Sequence, residues 1–386
     1  MTWMARRPDD GCGKMGAPVA GELPMQVHGL ELADVDAFLA VTEQVRPADP
    51  REVPPLRDPL RAELAGQSIL STYARHRLFV AEDGGRPCGR IAAILNPLLP
   101  DESGAPYGQL GYFECRDDEQ AARVLIEAGI EWLRGQGARQ ILAPMNGGAH
   151  RLYRFLVRGF ERDPFLFEPR NPAYYPRLFE QCGFQVALRC HSYEFGRDEL
   201  LPFKPLIEQL AAQRAPGIWG EFLDPSRMEE TLARLHPLLD EFWRGHLGYH
   251  SITREEFAEL FRGPLSLMTN RIIGVILNGA GEDVGLVFGY PDYVNEVRAL
   301  QGDARGWGAW LGHVRATRAV WHTLACKREA RGTGASALGL SWALRNFFED
   351  GYERLLVAFV LEEWKLFRQL REPTREYALY RRVLSP

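Results

Sequence analysis

The sequence predicts a mixed α/β protein, an α+β mixed sheet built twice in two tandem halves, the first with a degenerate anion-binding loop. Three observations predict it. Apolar runs and helical periodicities recur in the same order on either side of residues 197–216. In the second half a strand hands over to a helix through the glycine loop Arg331-Gly332-Thr333-Gly334-Ala335-Ser336. At the corresponding place in the first half stands Arg116-Asp117-Asp118-Glu119-Gln120, which has no glycine.

The first half spans 25–196. From Met25 the order is a short strand, a helix over Asp34–Arg46, and strands at Leu78–Ala81 and Arg90–Leu95 around the turn Asp83-Gly84-Gly85. Strand Gln109–Cys115 leads into a helix over Asp118–Leu133, for which Asp117 and Gln120 suit an N-cap. Strand Gln140–Ala143 follows, and Asn171–Phe184 closes the half with a helix. Pro202 and Pro205 mark 197–216 as a connector. In the second half, 217–386, the expected elements are strand Gly285–Tyr290, a long insert Pro291–Arg318 and a buried strand Ala319–Cys326. The glycine loop comes next, then a helix with Leu340, Leu344, Phe347 and Phe348 on one face. Strands Leu355–Val360 and Glu376–Tyr380 finish the chain.

Composition limits the function classes. A chain of 386 residues accommodates two ordinary domains, and 46% hydrophobic with 25% charged residues is a globular composition. A net charge of −5 gives no global case for nucleic acid. No run approaches the ~20 apolar residues of a membrane span. Residues 1–24 lack the apolar core of a secretory signal and read as a flexible tail. Six cysteines without a Cys-x-x-Cys pair, and nine histidines without a ligand spacing, predict no metal site and fit a reducing, cytoplasmic setting.

The glycine loop is where chemistry is expected. Glycines let a backbone approach an anion closely, and the free amides and positive dipole of the helix start point at it. A tight strand-to-helix turn is the alternative. The spacing Arg-x-x-Gly-x-(small), framed by a strand before and a helix and two strands after, resembles the coenzyme A site of the GNAT acyltransferase superfamily. That resemblance implies acyl-CoA as co-substrate, held by Cys326, Lys327, Arg331, Gly332, Thr333, Gly334, Ala335 and Ser336. Two departures accompany it. Ser336 stands where Gly or Ala is commoner, and Leu361-Glu362-Glu363-Trp364-Lys365-Leu366-Phe367 offers no Tyr to protonate the departing thiolate. In the first half, Asn171-Pro172-Ala173-Tyr174-Tyr175 through Gly183-Phe184 is similar to the family's late motif. The carboxylates at 117–119 would repel a pyrophosphate, so the first half reads as non-catalytic.

Direct acyl transfer to an amine needs a base, and His322, on the strand entering the loop, is the first candidate; an imidazole titrates near working pH. The alternative is a histidine satisfied inside the sheet. His246 and His250, in the glycine-rich stretch Gly245–Ser251, are the second choice because such loops can fold over a site; solvated loop residues are the alternative. Between Ala304 and Arg331 lie six Lys or Arg and one acid, Glu329. Trp307, Trp310, Leu311 and Val314 fall on one helical face, and with Arg315 and Arg318 they would suit the coenzyme's 3′-phosphate, an anionic membrane surface, or an ordinary packed helix. The stretches Ala143-Pro144-Met145-Asn146, Arg158-Gly159-Phe160, Asn171–Tyr175 and Pro291-Asp292-Tyr293-Val294-Asn295-Glu296-Val297 look like those of bacterial tandem GNAT proteins proposed as ceramide synthases. This implies transfer of an acyl group to a long-chain (sphingoid) base by an enzyme in the cytoplasm, or peripheral on the inner face of the cytoplasmic membrane. The alternatives are an acetyltransferase for a small polar amine or amino acid, and a non-catalytic acyl-CoA-binding protein.

Overall fold

The structure, a computed structural model, describes residues 25–214, 217–268 and 273–385. The tail expected at 1–24 lies outside them. Strands β1 (Gln26–Leu30), β2 (Arg75–Asp83), β3 (Arg86–Pro100), β4 (Pro106–Cys115), β5 (Gln140–Ala143), β6 (Phe155–Arg158) and β7 (Gln185–Gly196) come from the first half. Helices α1 (Val35–Val45), α2 (Arg57–Leu64), α3 (Glu119–Gly135) and α4 (Tyr175–Gln181) accompany them. The stretch read as a connector folds as α5 (Arg197–Leu200) and α6 (Lys204–Arg214). The second half supplies β8 (Trp219–Phe222), α7 (Met228–Trp243), α8 (Arg254–Leu265), β9 (Ile273–Leu277), β10 (Asp283–Pro291), α9 (Val294–Ala299) and β11 (Arg318–Cys326). It ends with α10 (Ala335–Glu349), β12 (Arg354–Leu361), α11 (Leu366–Leu370) and β13 (Arg375–Val383). The order β1-α-β2-β3-β4-α3-β5-α4-β7 is thus repeated as β8-α-β9-β10-β11-α10-β12-α11-β13.

Among the described residues all thirteen strands join one sheet, in the order β1-β2-β3-β4-β5-β13-β7-β12-β11-β10-β9-β8, with β6 beside β13. The last strand of each half is exchanged. β13 lies antiparallel between β5 and β7, while β7 lies antiparallel against β12. A continuous apolar run along β13 explains why it fits there: Tyr377, Ala378, Leu379 and Tyr380 are buried on both faces of a central strand. Arg375 enters the same layer because Glu168, at 3.1 Å, and Glu194, at 3.4 Å, neutralise it.

Within each half one parallel strand pair comes apart. β4 and β5 pair only at Gly108–Ile141 and Gln109–Leu142, and β11 and β12 only from Arg318–Arg354 to Trp321–Val357. Past those points the strands diverge and leave a wedge. The expectation of a wholly buried strand at 319–326 is corrected accordingly. Ala319 and Val320 are buried, but Trp321–Cys326 are half-buried, and from His322 onward β12 no longer pairs with the strand.

Candidate active site

The site starts at the N-terminus of α10. Gly334 is its N-cap, in the left-handed region at φ 101°, and no side chain caps the helix. Gly332 is also left-handed, at φ 79°. The loop therefore turns tightly, its own bonds being Thr333 Oγ1 to the Ala330 carbonyl at 2.6 Å and Leu338 N to the Gly334 carbonyl at 2.9 Å. First-turn amides without a capping side chain are an anion site in waiting. Cys326 Sγ lies 3.3 Å from Ser336 Oγ across the loop, and Ala335 is buried beneath it. Lys327 pairs with Glu241 at 3.2 Å, while Arg328 and Arg331 are exposed and make no ion pair among the described residues. The structure thus gathers all eight loop residues at one helix end, opening onto the wedge.

His322 stands where the wedge opens. In the β10–β11 register Gly289 faces Trp321 and Phe288 faces Thr323, so His322 is the extra residue of a β-bulge. A bulge re-aims its side chain. The ring lies among Trp243 (6.1 Å between centroids), Phe288 (6.0 Å) and Phe359 (5.7 Å), with Nδ1 3.0 Å from Thr323 Oγ1. Burial, helped by the charge of Arg154, pushes its pKa down to about 4. The expectation that this imidazole titrates near working pH is corrected: it is neutral there, able to accept a proton but a weaker base than a solvated histidine. Arg154 arrives from the loop between β5 and β6 of the first half, its guanidinium 4.7 Å above the Phe359 ring. Sequence reading passed over Arg154 because no local motif announces a residue whose role depends on a contact with the other half.

The same position in the first half is closed. The N-cap of α3 is Asp118, not Asp117: its carboxylate accepts from Gln120 N at 2.9 Å and Ala121 N at 3.0 Å. Asp117 instead pairs with Arg177. The bulge of β4 is filled too, since Asn146 Oδ1 accepts the Tyr112 amide at 3.0 Å. Further along, Tyr174 donates to the Cys115 carbonyl at 2.8 Å, and Tyr175 accepts the Cys115 amide at 3.0 Å and donates to Glu114 at 2.8 Å. The Tyr112 amide and both backbone groups of Cys115 thus have internal partners.

Other expected site residues lie elsewhere. His250 is buried at the junction of the halves, its Nε2 3.2 Å from Tyr73 Oη and 3.2 Å from Asn96 Nδ2. Trp243 and His150 stand between it and His322. Burial first, then the charges of His150 and Arg151, push its pKa to about 3. Its engagement in that packed network corrects the idea of a loop histidine folded over the site. The expected helix through 307–314 is a series of turns, because Gly308 and Gly312 take φ 76° and 82°. Trp307 and Trp310 are half-buried against the main core, and Trp307 Nε1 donates to Ser266 Oγ at 3.2 Å. Arg315 donates to the Asp350 carbonyl, and Arg318 is held by Asp292 and by the Pro164 carbonyl at 2.6 Å. The tryptophan band is a packed insert whose two arginines have intramolecular partners, not a free basic helix.

No protein-family model matches the chain. Over 369 residues it is 24% identical to the bacterial ceramide synthase of Caulobacter vibrioides, covering 91% of this chain and 95% of that one. Protein YghO of Escherichia coli is 26% identical over 227 residues, which is 59% of this chain and 58% of the length of that relative. Among solved structures, a fungal multi-domain GH3 beta-N-acetylglucosaminidase with a GCN5-related glucosamine N-acetyltransferase region superposes with a TM-score of 0.51 at 16% identity. That match covers 94% of this chain and 38% of the other. The likeness shows the fold, two GNAT-like units in tandem.

Proposed function

We propose that this tandem GNAT-fold protein is an acyl-CoA-dependent N-acyltransferase in which the second half carries the reaction and the first is non-catalytic. The observation that carries the reading is the contrast between two equivalent helix ends. The start of α10 is built of left-handed glycines and uncapped, at the mouth of the β11–β12 wedge, whereas that of α3 is sealed by Asp118 beneath a wedge filled by Tyr174 and Tyr175. Pyrophosphate on the loop 331–336 would place the thioester arm along β11 toward His322. Acyl transfer then needs a neutral amine, correct placement and a proton acceptor; no covalent intermediate is required. His322, neutral at physiological pH, is the acceptor of the amine's proton, through water where the amine is not in direct contact.

For the acceptor we favour a long-chain (sphingoid) base. The support is similarity to the Caulobacter ceramide synthase along nearly the full length of both chains, together with the aromatic lining of the wedge by Trp243, Phe288 and Phe359. An apolar acceptor gains from such a lining about 25 cal/mol per Å² buried. The test is thiol release from acyl-CoAs of graded chain length, offered sphinganine in mixed micelles and a panel of small polar amines. The expected outcome is turnover with the long-chain base, abolished in Gly334→Asp, whose carboxylate and Cβ enter the anion space. Preference for a polar amine would replace this reading by a small-amine acetyltransferase. Tight acyl-CoA binding without release of thiol from any pair would leave a binding protein.

A further inference from the structure

We propose that Arg154, a residue of the first half, stabilises the negative charge that acyl transfer in the second half places on the departing sulfur. The inference rests on the acyl-CoA reading above. Arg154 has a left-handed backbone at φ 77°, uncommon for a residue with a side chain, and so has the residue it stacks on, Phe359, at φ 56°. Both sit at the wedge: Phe359 lies past the last β11–β12 pair, and its ring is 5.7 Å from that of His322. The guanidinium is sandwiched, 3.9 Å from the centroid of Tyr153 and 4.7 Å from that of Phe359. Nη2 donates to the Tyr153 hydroxyl, but Nε and Nη1 are buried and have no partner.

Two nearby arginines that are similarly enclosed are neutralised. Arg151 lies 2.8 Å from Glu63 and 3.2 Å from Glu256, and Arg375 lies 3.1 Å from Glu168. Arg154 has no carboxylate partner among the described residues. Enclosing a cation with unused donors is unfavourable, and stacking on two rings offsets only part of the cost. Left-handed backbone at both contact residues adds strain of a kind that concentrates at functional sites. A fixed positive charge with donors to spare becomes favourable when an anion forms beside it, and acyl transfer forms one. The amine lone pair makes the C–N bond to the thioester carbonyl carbon, the C–S bond breaks, and its electron pair leaves on sulfur. The amine's proton goes to the base, and the thiolate is protonated from water on release, giving an amide and coenzyme A. The same charge helps keep His322 unprotonated, so the amine's proton finds an empty acceptor.

The experiment uses free coenzyme A and the full chain. Binding is measured by calorimetry, and thiolate formation by ultraviolet absorbance across pH. In the wild type the bound thiol should ionise at least about one pH unit below that of free coenzyme A, as an adjacent cation requires. In Arg154→Met it should return to the free value, with kcat lowered ~10²-fold and KM little changed, the scale of losing one preorganised donor. Arg154→Lys, which keeps the charge, should recover most of the thiol shift. A bound wild-type thiol that ionises like the free one overturns the proposal even if Arg154→Met fails to fold, and so does an Arg154→Met enzyme with wild-type turnover. Absence of coenzyme binding in the wild type sinks the acyl-CoA reading and this inference with it; normal binding with an unshifted thiol sinks this inference alone.

Discussion

His322 owes its place to the strand register. A bulge at one residue turns it out of the ladder toward the wedge, and the surrounding rings then set its ionisation. If it accepts the amine's proton, His322→Ala should lower kcat by ~10²-fold, the usual scale for loss of a general base. Activity is lost when the imidazole is protonated, so in the free enzyme this loss should come as pH falls through about 4, not through 6.5. A kcat/KM profile whose acid limb lies near 6.5 and disappears in His322→Ala would contradict the enclosure seen here. The histidine's place on the strand that enters the glycine loop was legible in the sequence. Its pKa was not, since it depends on Arg154, Trp243 and Phe359, which reach it only through folding. The N-cap of α3 was misread by one position for a related reason: Asp117 and Asp118 both fit the pattern, and the partner of Asp117, Arg177, lies on α4.

Most elements were legible from periodicity and punctuation, and the misses have physical causes. The hairpin between β2 and β3 turns at Gly84 and Gly85, both left-handed, as the Asp-Gly-Gly signal implies. The insert at 307–314 carries a helical apolar pattern, but glycines at 308 and 312 take conformations that a helix excludes. The exchange of β7 and β13 left no local trace, because an exchanged strand and an unexchanged one have the same alternation. It has a testable outcome at this scale. Ending the chain after Pro373 removes a strand bonded to β5, β6 and β7, so the first half should lose its fold along with the second. Circular dichroism and hydrogen exchange on the shortened chain should show no protected β1–β5 core. A soluble, cooperatively melting first half would show that β13 is dispensable to it.

At the scale of the whole molecule, the halves meet through a buried polar network. Tyr73 donates to Glu256 at 2.9 Å, Arg151 bridges Glu63 and Glu256, and His150 Nε2 lies 2.8 Å from the His250 carbonyl. His150 is held down to about 4 by burial, and His250 to about 3. Unfolded, both would titrate near 6.5. As pH drops below 6.5 the unfolded chain takes up protons that the folded one refuses, so stability falls. The slope is at most about 1.4 kcal/mol per pH unit per histidine, until the folded form itself protonates. Melting temperature should therefore decline from pH 6.5 toward 4, and His250→Gln should melt lower at neutral pH yet lose less on acidification. Equal acid sensitivity in that variant would remove the junction from the explanation.

The exchanged strands also bear on how such a protein can change over generations. After a gene duplication, a copy that no longer works can usually be discarded by deletion. Here each copy lends its last strand to the other's sheet, so a deletion that removed the first copy would take β7 from beside β12 and leave β13 without a neighbour on either side. A substitution that seals one helix end, as Asp118 does on α3, leaves the sheet intact; removal of a whole half does not. Strands exchanged in this way bind the two copies into a single sheet, so they would have to be inherited as one unit.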